Sequence, residues 1–242
     1  MVTTASHRKR MTSANRGCLL VMAGLADPGN QTTDRLARLE KAVNHGVAGL
    51  LARRGVDQSE GRDFLDVGCF LYSTDSTGAA VFRPSLTGKA AGLETTPIVD
   101  VSGEPPDFIK LTELVDDGLG GLQPEDQSSP AWFRAPMPHG LGSAPMSMAM
   151  ERCRAIAAAW CDAHADSFPP VVVNLTDGES TDGDPEIQAL DLRDLSTDDG
   201  GLLLFSAYLT GETPAPLAFP SSEEALPNEA ARRLFRIASI LP

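Results

Sequence analysis

Four short apolar runs, each followed by a segment of different periodicity, confine this chain to few folds. The runs are "CLLV" (residues 18–21), "FLDVGCFLYS" (64–73), "VVVNL" (171–175) and "LLLFSAYL" (202–209). They do not alternate strictly between apolar and polar, so they read as strands covered on both faces. Helical patterns lie between them. Leu36, Leu39, Val43, Val47 and Leu50 recur at spacings of three and four, behind Thr33 as a candidate cap. Ala149, Cys153, Ile156, Ala157 and Trp160 line one side of a helix predicted for 146–165. A shorter helix is predicted for 185–195. Asn228 can cap a last one carrying Ala231, Leu234, Phe235 and Ala238 on one face. Strands alternating with helices predict an α/β fold, a doubly wound and mostly parallel sheet with helices on both faces.

Asp75 to Gly78 reads as a turn, and "AAVFRP" after it as an antiparallel partner of the second strand. Asp116 to Pro145 is rich in Gly, Pro, Asp and Ser and reads as one long loop. There are no internal repeats. The 242 residues suffice for one large α/β domain, predicted for 17–242, and 42% hydrophobic residues supply its core.

Residues 1–16 are polar, basic and aperiodic, and are expected to form a flexible arm. The segment "SHRKR" followed by the apolar run "CLLVMAGLA" (18–26) has two readings: a first buried strand, or a signal peptide with a small-residue cleavage site. No stretch approaches the roughly 20 apolar residues of a membrane-spanning helix. Cys18, Cys69, Cys153 and Cys161 show no paired spacing. Cys153 and Cys161, on one predicted helix, would stand about 12 Å apart, too far for a disulfide. Free thiols fit a reducing cytoplasm.

The net charge of −13 repels phosphate backbones and argues against nucleic acid as a partner. The charge is concentrated. Nine acidic residues and a single basic one, Arg193, lie between Asp177 and Asp199. A solvated face is the simplest account of such a run. Five of the carboxylates, Asp177, Glu179, Asp182, Asp184 and Glu186, follow the strand "VVVNL" directly. In a doubly wound sheet, the loops at the carboxyl ends of strands form the ligand site.

The stretch "FPPVVVNLTDGESTDGDPE" resembles the fourth strand and following loop of von Willebrand factor A domains, in a bacterial intracellular branch. "LARLEKAVNHGV" resembles the first helix of that branch, "FLDVGCFLY" its second strand and "GSAPMSMAM" its Gly-Gly-Thr-Pro-Met helix start. "LFSAYLT" and "FPSSEEALPNEAARRLFRIASILP" resemble its C-terminal end. Together these cover nearly the whole chain after residue 17. The resemblance implies a six-stranded sheet and a metal-ion-dependent adhesion site built on Asp-x-Ser-x-Ser, a Thr and a strand-end Asp. Here Met22 stands at the Asp position, Gly24 and Ala26 at the two serines, and Ala144 at the Thr; Asp177 alone is retained. Met, Gly and Ala side chains offer no hard oxygen to Mg²⁺, so a degenerate site without metal or cofactor is expected.

Other chemistry is thinly represented. "DDGLGGL" (116–122) lacks the Lys and Ser/Thr of a P-loop, and "DGESTDGDPE" lacks EF-hand spacing. His139 in the long loop has no identified nucleophile and acid partner. His45 and His164 read as packing or surface residues. Trp132 and Phe133 are either buried loop anchors or an exposed partner contact.

The resulting expectation is a non-catalytic protein-interaction module. Its binding face would gather Ala26 to Asn30, His139 to Pro145 and the acidic loop, with Asp27, His139, Asp177, Glu179, Asp182 and Asp184 as contact residues. The expected partner is a protein with a basic patch, and neither a nucleic acid nor a membrane. The resemblance implies a signalling or defence assembly with a kinase, a phosphatase or an AAA+ ATPase. The alternative is a Ca²⁺- or Mg²⁺-dependent binder using the acidic loop, and a hydrolase built on His139 comes third.

Overall fold

The structure, a computed structural model, describes residues 11–12, 14–24, 32–55, 63–101, 107–116, 118, 121–135, 143–177, 180–210 and 217–240. Its centre is a six-stranded, mostly parallel sheet. Strands β1 (Gly17–Gly24), β2 (Leu65–Thr74), β7 (Val171–Thr176) and β10 (Leu203–Tyr208) run parallel in the order β10-β7-β1-β2. Two antiparallel strands, β3 (Ala80–Pro84) and β4 (Thr96–Pro97), pair with β2.

The four apolar runs become the four parallel strands because both of their faces are covered. On β1, Cys18, Leu20 and Met22 face one core with Phe70, Tyr72, Val172 and Leu204. Leu19, Val21 and Ala23 face the other, with Val67, Cys69, Leu71 and Leu175. The first core is closed by α3 (Met146–Ala163), α4 (Glu186–Arg193) and α5 (Glu229–Ile237). The second is closed by α1 (Thr32–Gly55) and the short α2 (Ile98–Val101). Leu36, Leu39, Val43 and Val47 of α1 are buried and Leu50 is half-buried. Each such side chain removed from water contributes roughly 1.5–3 kcal/mol. All five residues expected along α3 are buried. Asn228 caps α5 by accepting the N–H of Ala231 at 3.0 Å; Phe235 is half-buried and Ala238 is the C-cap.

Two boundaries move. β1 does not close at Val21 but continues through Met22, Ala23 and Gly24, which pair with β2 on one side and β7 on the other. The segment 116–145 is not a continuous loop. Residues 122–130 form β6 (Leu122–Pro130), paired antiparallel with β5 (Phe108–Asp116) as a two-stranded ribbon apart from the main sheet. β6, "LQPEDQSSP", carries no apolar alternation. Backbone pairing with β5 makes it a strand, and that leaves no trace in its hydropathy. A last pair, β8 (Ser196–Thr197) and β9 (Gly200–Gly201), is a tight hairpin before β10.

The chain after β6 is sewn down. Asn44 of α1 donates to the Phe133 carbonyl at 2.9 Å and accepts its N–H at 2.9 Å. Thr87 Oγ1 donates to the carbonyls of Ala131 and Trp132. Trp132 and Phe133 are therefore buried anchors, not an exposed contact. Glu40 accepts the N–H of Ala135 at 2.7 Å. Burial pushes its carboxyl up; the Ala135 N–H and Arg134 offset this only in part.

At the opposite end of the sheet, Arg16 clamps the start of β2. Its guanidinium bonds Asp63 (2.8 Å) and Asp66 (2.6 Å). By composition Arg16 belongs to the basic N-terminal arm, yet here it is fixed by two carboxylates; residues 1–10 lie outside the described residues. Trp160 Nε1 also donates to Asp66, at 2.9 Å. Burial pushes the Asp66 carboxyl up, yet the Arg16 and Trp160 bonds more than offset it and hold it below the ordinary value. His164 stacks on Trp160, ring centroids 4.4 Å apart, and His45 is exposed. The four cysteines are buried free thiols. Burial pushes Cys69 and Cys153 up to about 12, Cys161 to about 11, and Cys18 well above its ordinary value. No helix of the described residues is long and apolar enough to cross a membrane.

Candidate functional site

From β1 the chain moves to β2 on one side, and from β7 to β10 on the other. β1 and β7 are themselves neighbours, so the winding reverses between them. Their carboxyl ends therefore mark a switch point, the place where open α/β sheets put their ligands. Gly24 is the last residue of β1. Its register partners are Tyr72 and Thr176, and Asp177 follows Thr176. The N-terminus of α3 and the loop at 180–184 close on the same end.

Tyr72 dominates this place. Its side chain is fully buried, and a Cβ built on Gly24 would come within 2.0 Å of its ring. The phenol donates to Asn174 Oδ1 at 3.0 Å. Asn174 Nδ2 in turn reaches Met146 Sδ at 3.6 Å. Burial pushes the phenol well above its usual range; the bonds to Thr176 and Asn174 counteract this weakly, and the charges of Asp177 and Asp182 add to it. A phenol so held is neutral at any ordinary pH and is no proton acceptor.

Met22 points into the core between the register partners Phe70 and Asn174 and is fully buried. Ala144 is fully buried too, and its carbonyl accepts the N–H of Thr181 at 3.0 Å. Asp177 is 9% exposed. Ala26, Asp27, His139 and Glu179 lie outside the described residues.

The acidic loop has a structural use. Asp182 accepts the N–H of Ser147 at 3.0 Å and that of Met148 at 2.8 Å, both in the first turn of α3. The residue before α3 is Pro145, which makes no side-chain cap. The cap is supplied from 35 residues away, and a carboxylate there also meets the positive end of the helix dipole. Ser180 Oγ donates to the same carboxylate at 2.8 Å, and Ser143 and Thr181 share a hydroxyl contact of 2.5 Å. Asp184 is turned away, accepting the N–H of Glu186 and standing 4.0 Å from Arg233. The structure thus separates two residues expected to act alike.

The residues here do not fit a magnesium adhesion site. Two ligand positions are packed inside the core, and the space above Gly24 holds the Tyr72 ring. No group of three or more His, Cys, Asp or Glu among the described residues is placed to hold a metal ion. Tyr72 and Asn174 were not singled out from the sequence. The signal available was the pairing of an aromatic strand end with a glycine on the neighbouring strand, which requires the register.

No family model matches the chain, and comparison with curated proteins and with solved structures returned no match.

Proposed function

We propose that this chain is a non-catalytic protein-interaction module, a von Willebrand factor A-like domain whose metal position has become part of the core. One observation carries the reading. Where the resemblance expects a serine ligand, Gly24 lies under the Tyr72 ring, with no room for a side chain. Among the described residues this switch point offers neither a cluster of metal ligands nor a nucleophile with a base, which suits a module that binds rather than turns over. The alternative, a Ca²⁺-dependent binder, is disfavoured because both Asp182 oxygens already accept backbone N–H groups. The resemblance implies a place in a bacterial signalling or defence assembly. The partner is a protein with a basic patch, complementary to the charge of −13.

Two measurements test this. Calorimetric titration with Mg²⁺ and Ca²⁺ should show no saturable heat, and millimolar Mg²⁺ should leave the melting temperature unchanged, since only ligand bound to the folded state raises it. Saturable stabilisation would return the metal-dependent reading. Affinity purification from the native host should yield a protein partner released by salt. A salt-independent association would remove the basic patch from the proposal.

A further inference from the structure

Helix α4 carries aliphatic side chains on both of its faces. Ala189 and Leu192 point inward and are fully buried. Ile187 and Leu190, one turn apart, point outward and are 68% and 48% exposed. A helix apolar on both faces is normally covered on both. Glu186, Asp191 and Asp194 are exposed beside the outward pair. At helical spacing, residues 186, 187, 190, 191 and 194 form one strip: two aliphatic side chains rimmed by three carboxylates. None of the three has an ion-pair partner among the described residues. Of the nearby arginines, Arg154 is held by the Asp191 backbone carbonyl rather than by a rim carboxylate, and Arg193 Nη1 turns away to the Ile237 carbonyl.

We propose that this strip docks a partner polypeptide segment whose apolar side chains are flanked by Lys or Arg. An apolar centre with a charged rim is the usual anatomy of a protein interface. The charge selects the occupant. A second copy of this chain would set the same strip against itself, carboxylate on carboxylate, in a two-fold contact. An anionic membrane surface is repelled for the same reason. A cationic, amphipathic segment buries Ile187 and Leu190 while its Lys and Arg reach the rim. The inference rests on the interaction-module reading and names the chemistry of the partner; it places the contact on α4, not on the loops at the strand ends. So small a surface implies weak binding, roughly micromolar or weaker.

The probe is a synthetic helical peptide with leucines at spacings of three and four and lysines elsewhere. It is titrated into the ¹⁵N-labelled full chain while amide shifts are followed. Saturable shifts should concentrate on residues 186–194. The double variant Ile187→Ser, Leu190→Ser should weaken binding about tenfold. Asp191→Asn with Asp194→Asn should weaken it and flatten its dependence on salt. Peptides with the leucines replaced by serine, or the lysines by glutamate, should not bind. The altered side chains face solvent, so circular dichroism and melting should be unchanged; should the double variant melt early, Leu190→Gln alone reads the same contact. Saturable shifts confined to residues 180–184 would overturn the α4 surface and leave the interaction-module reading standing. Equal affinity in the double variant, or no saturable shift at all, would overturn it as well. Self-association in sedimentation velocity that the double variant abolishes would assign the strip to a second copy instead.

Discussion

The ring of Tyr72 lies so close over Gly24 that a methyl group at residue 24 would meet ring carbon Cε2 at 2.0 Å. The ring is fully buried and tied to Asn174, so it cannot swing aside at low cost. Gly24→Ser, the change that would restore a serine ligand, should therefore destabilise the fold. Overpacking of this kind costs typically 1–3 kcal/mol. Denaturant unfolding measures it, and the variant should gain no response to Mg²⁺. A stable, Mg²⁺-responsive Gly24→Ser protein would show that the tyrosine does not close the site.

Asp182 and Asp184 are two positions apart and should behave differently. Asp182→Ala removes the cap of α3 and should cost on the order of 1 kcal/mol. Asp182→Lys should cost more, because a cation then faces the positive end of the helix. Asp184→Lys should change stability by less than about 0.5 kcal/mol, as surface substitutions usually do. Thermal melts of the three variants decide this, and an equal loss at both positions would contradict the capping geometry.

Asp66 and Arg16 should show acid-dependent stability. The folded state holds the Asp66 carboxyl below its unfolded value, which is about 3.9. The resulting stabilisation is present above that value and is lost as pH falls through the lower, folded one. Arg16→Met should cost on the order of 2 kcal/mol at pH 7, between the exposed and fully buried limits for ion pairs. The gap between variant and parent should close as the solution is acidified. A gap independent of pH would mean that Arg16 acts through packing alone.

Glu40 runs the other way. Burial raises its folded value, so any stabilisation is fully present below the unfolded value, about 4.3, and is lost as pH rises through the folded one. Glu40→Gln keeps an oxygen for the Ala135 N–H without the charge. It should stabilise the protein at neutral pH, with the advantage vanishing in acid. Melting curves across pH read it directly. A neutral-pH loss would show that the 3.6 Å approach of Arg134 outweighs burial.

The sequence by itself determined the framework. Period and length report burial along a strand or helix, so the four apolar runs, the inward faces of α1 and α3, the turn at 75–78 and the Asn228 cap are all legible in the residues alone. Asp75 makes that turn by accepting the N–H groups of Thr77 and Ala79 on its own carboxylate, and the Asn228 bond spans three residues. What lay beyond reach was every arrangement whose partners are distant in the chain. The Asn44 bonds to Phe133 span 89 residues, the Tyr72 bond to Asn174 spans 102, and the Asp182 cap spans 35. The β5–β6 ribbon escaped because backbone pairing imposes no hydropathy pattern on β6. The acidic run looked like one charged face, yet the fold divides it. Asp182 is fixed to a helix end, Asp177 is nearly buried, and Glu186, Asp191 and Asp194 surround an exposed aliphatic pair. Local periodicity encodes which side of an element is buried. Which polar group meets which depends on strand register and helix placement, and these exist only once the chain is folded.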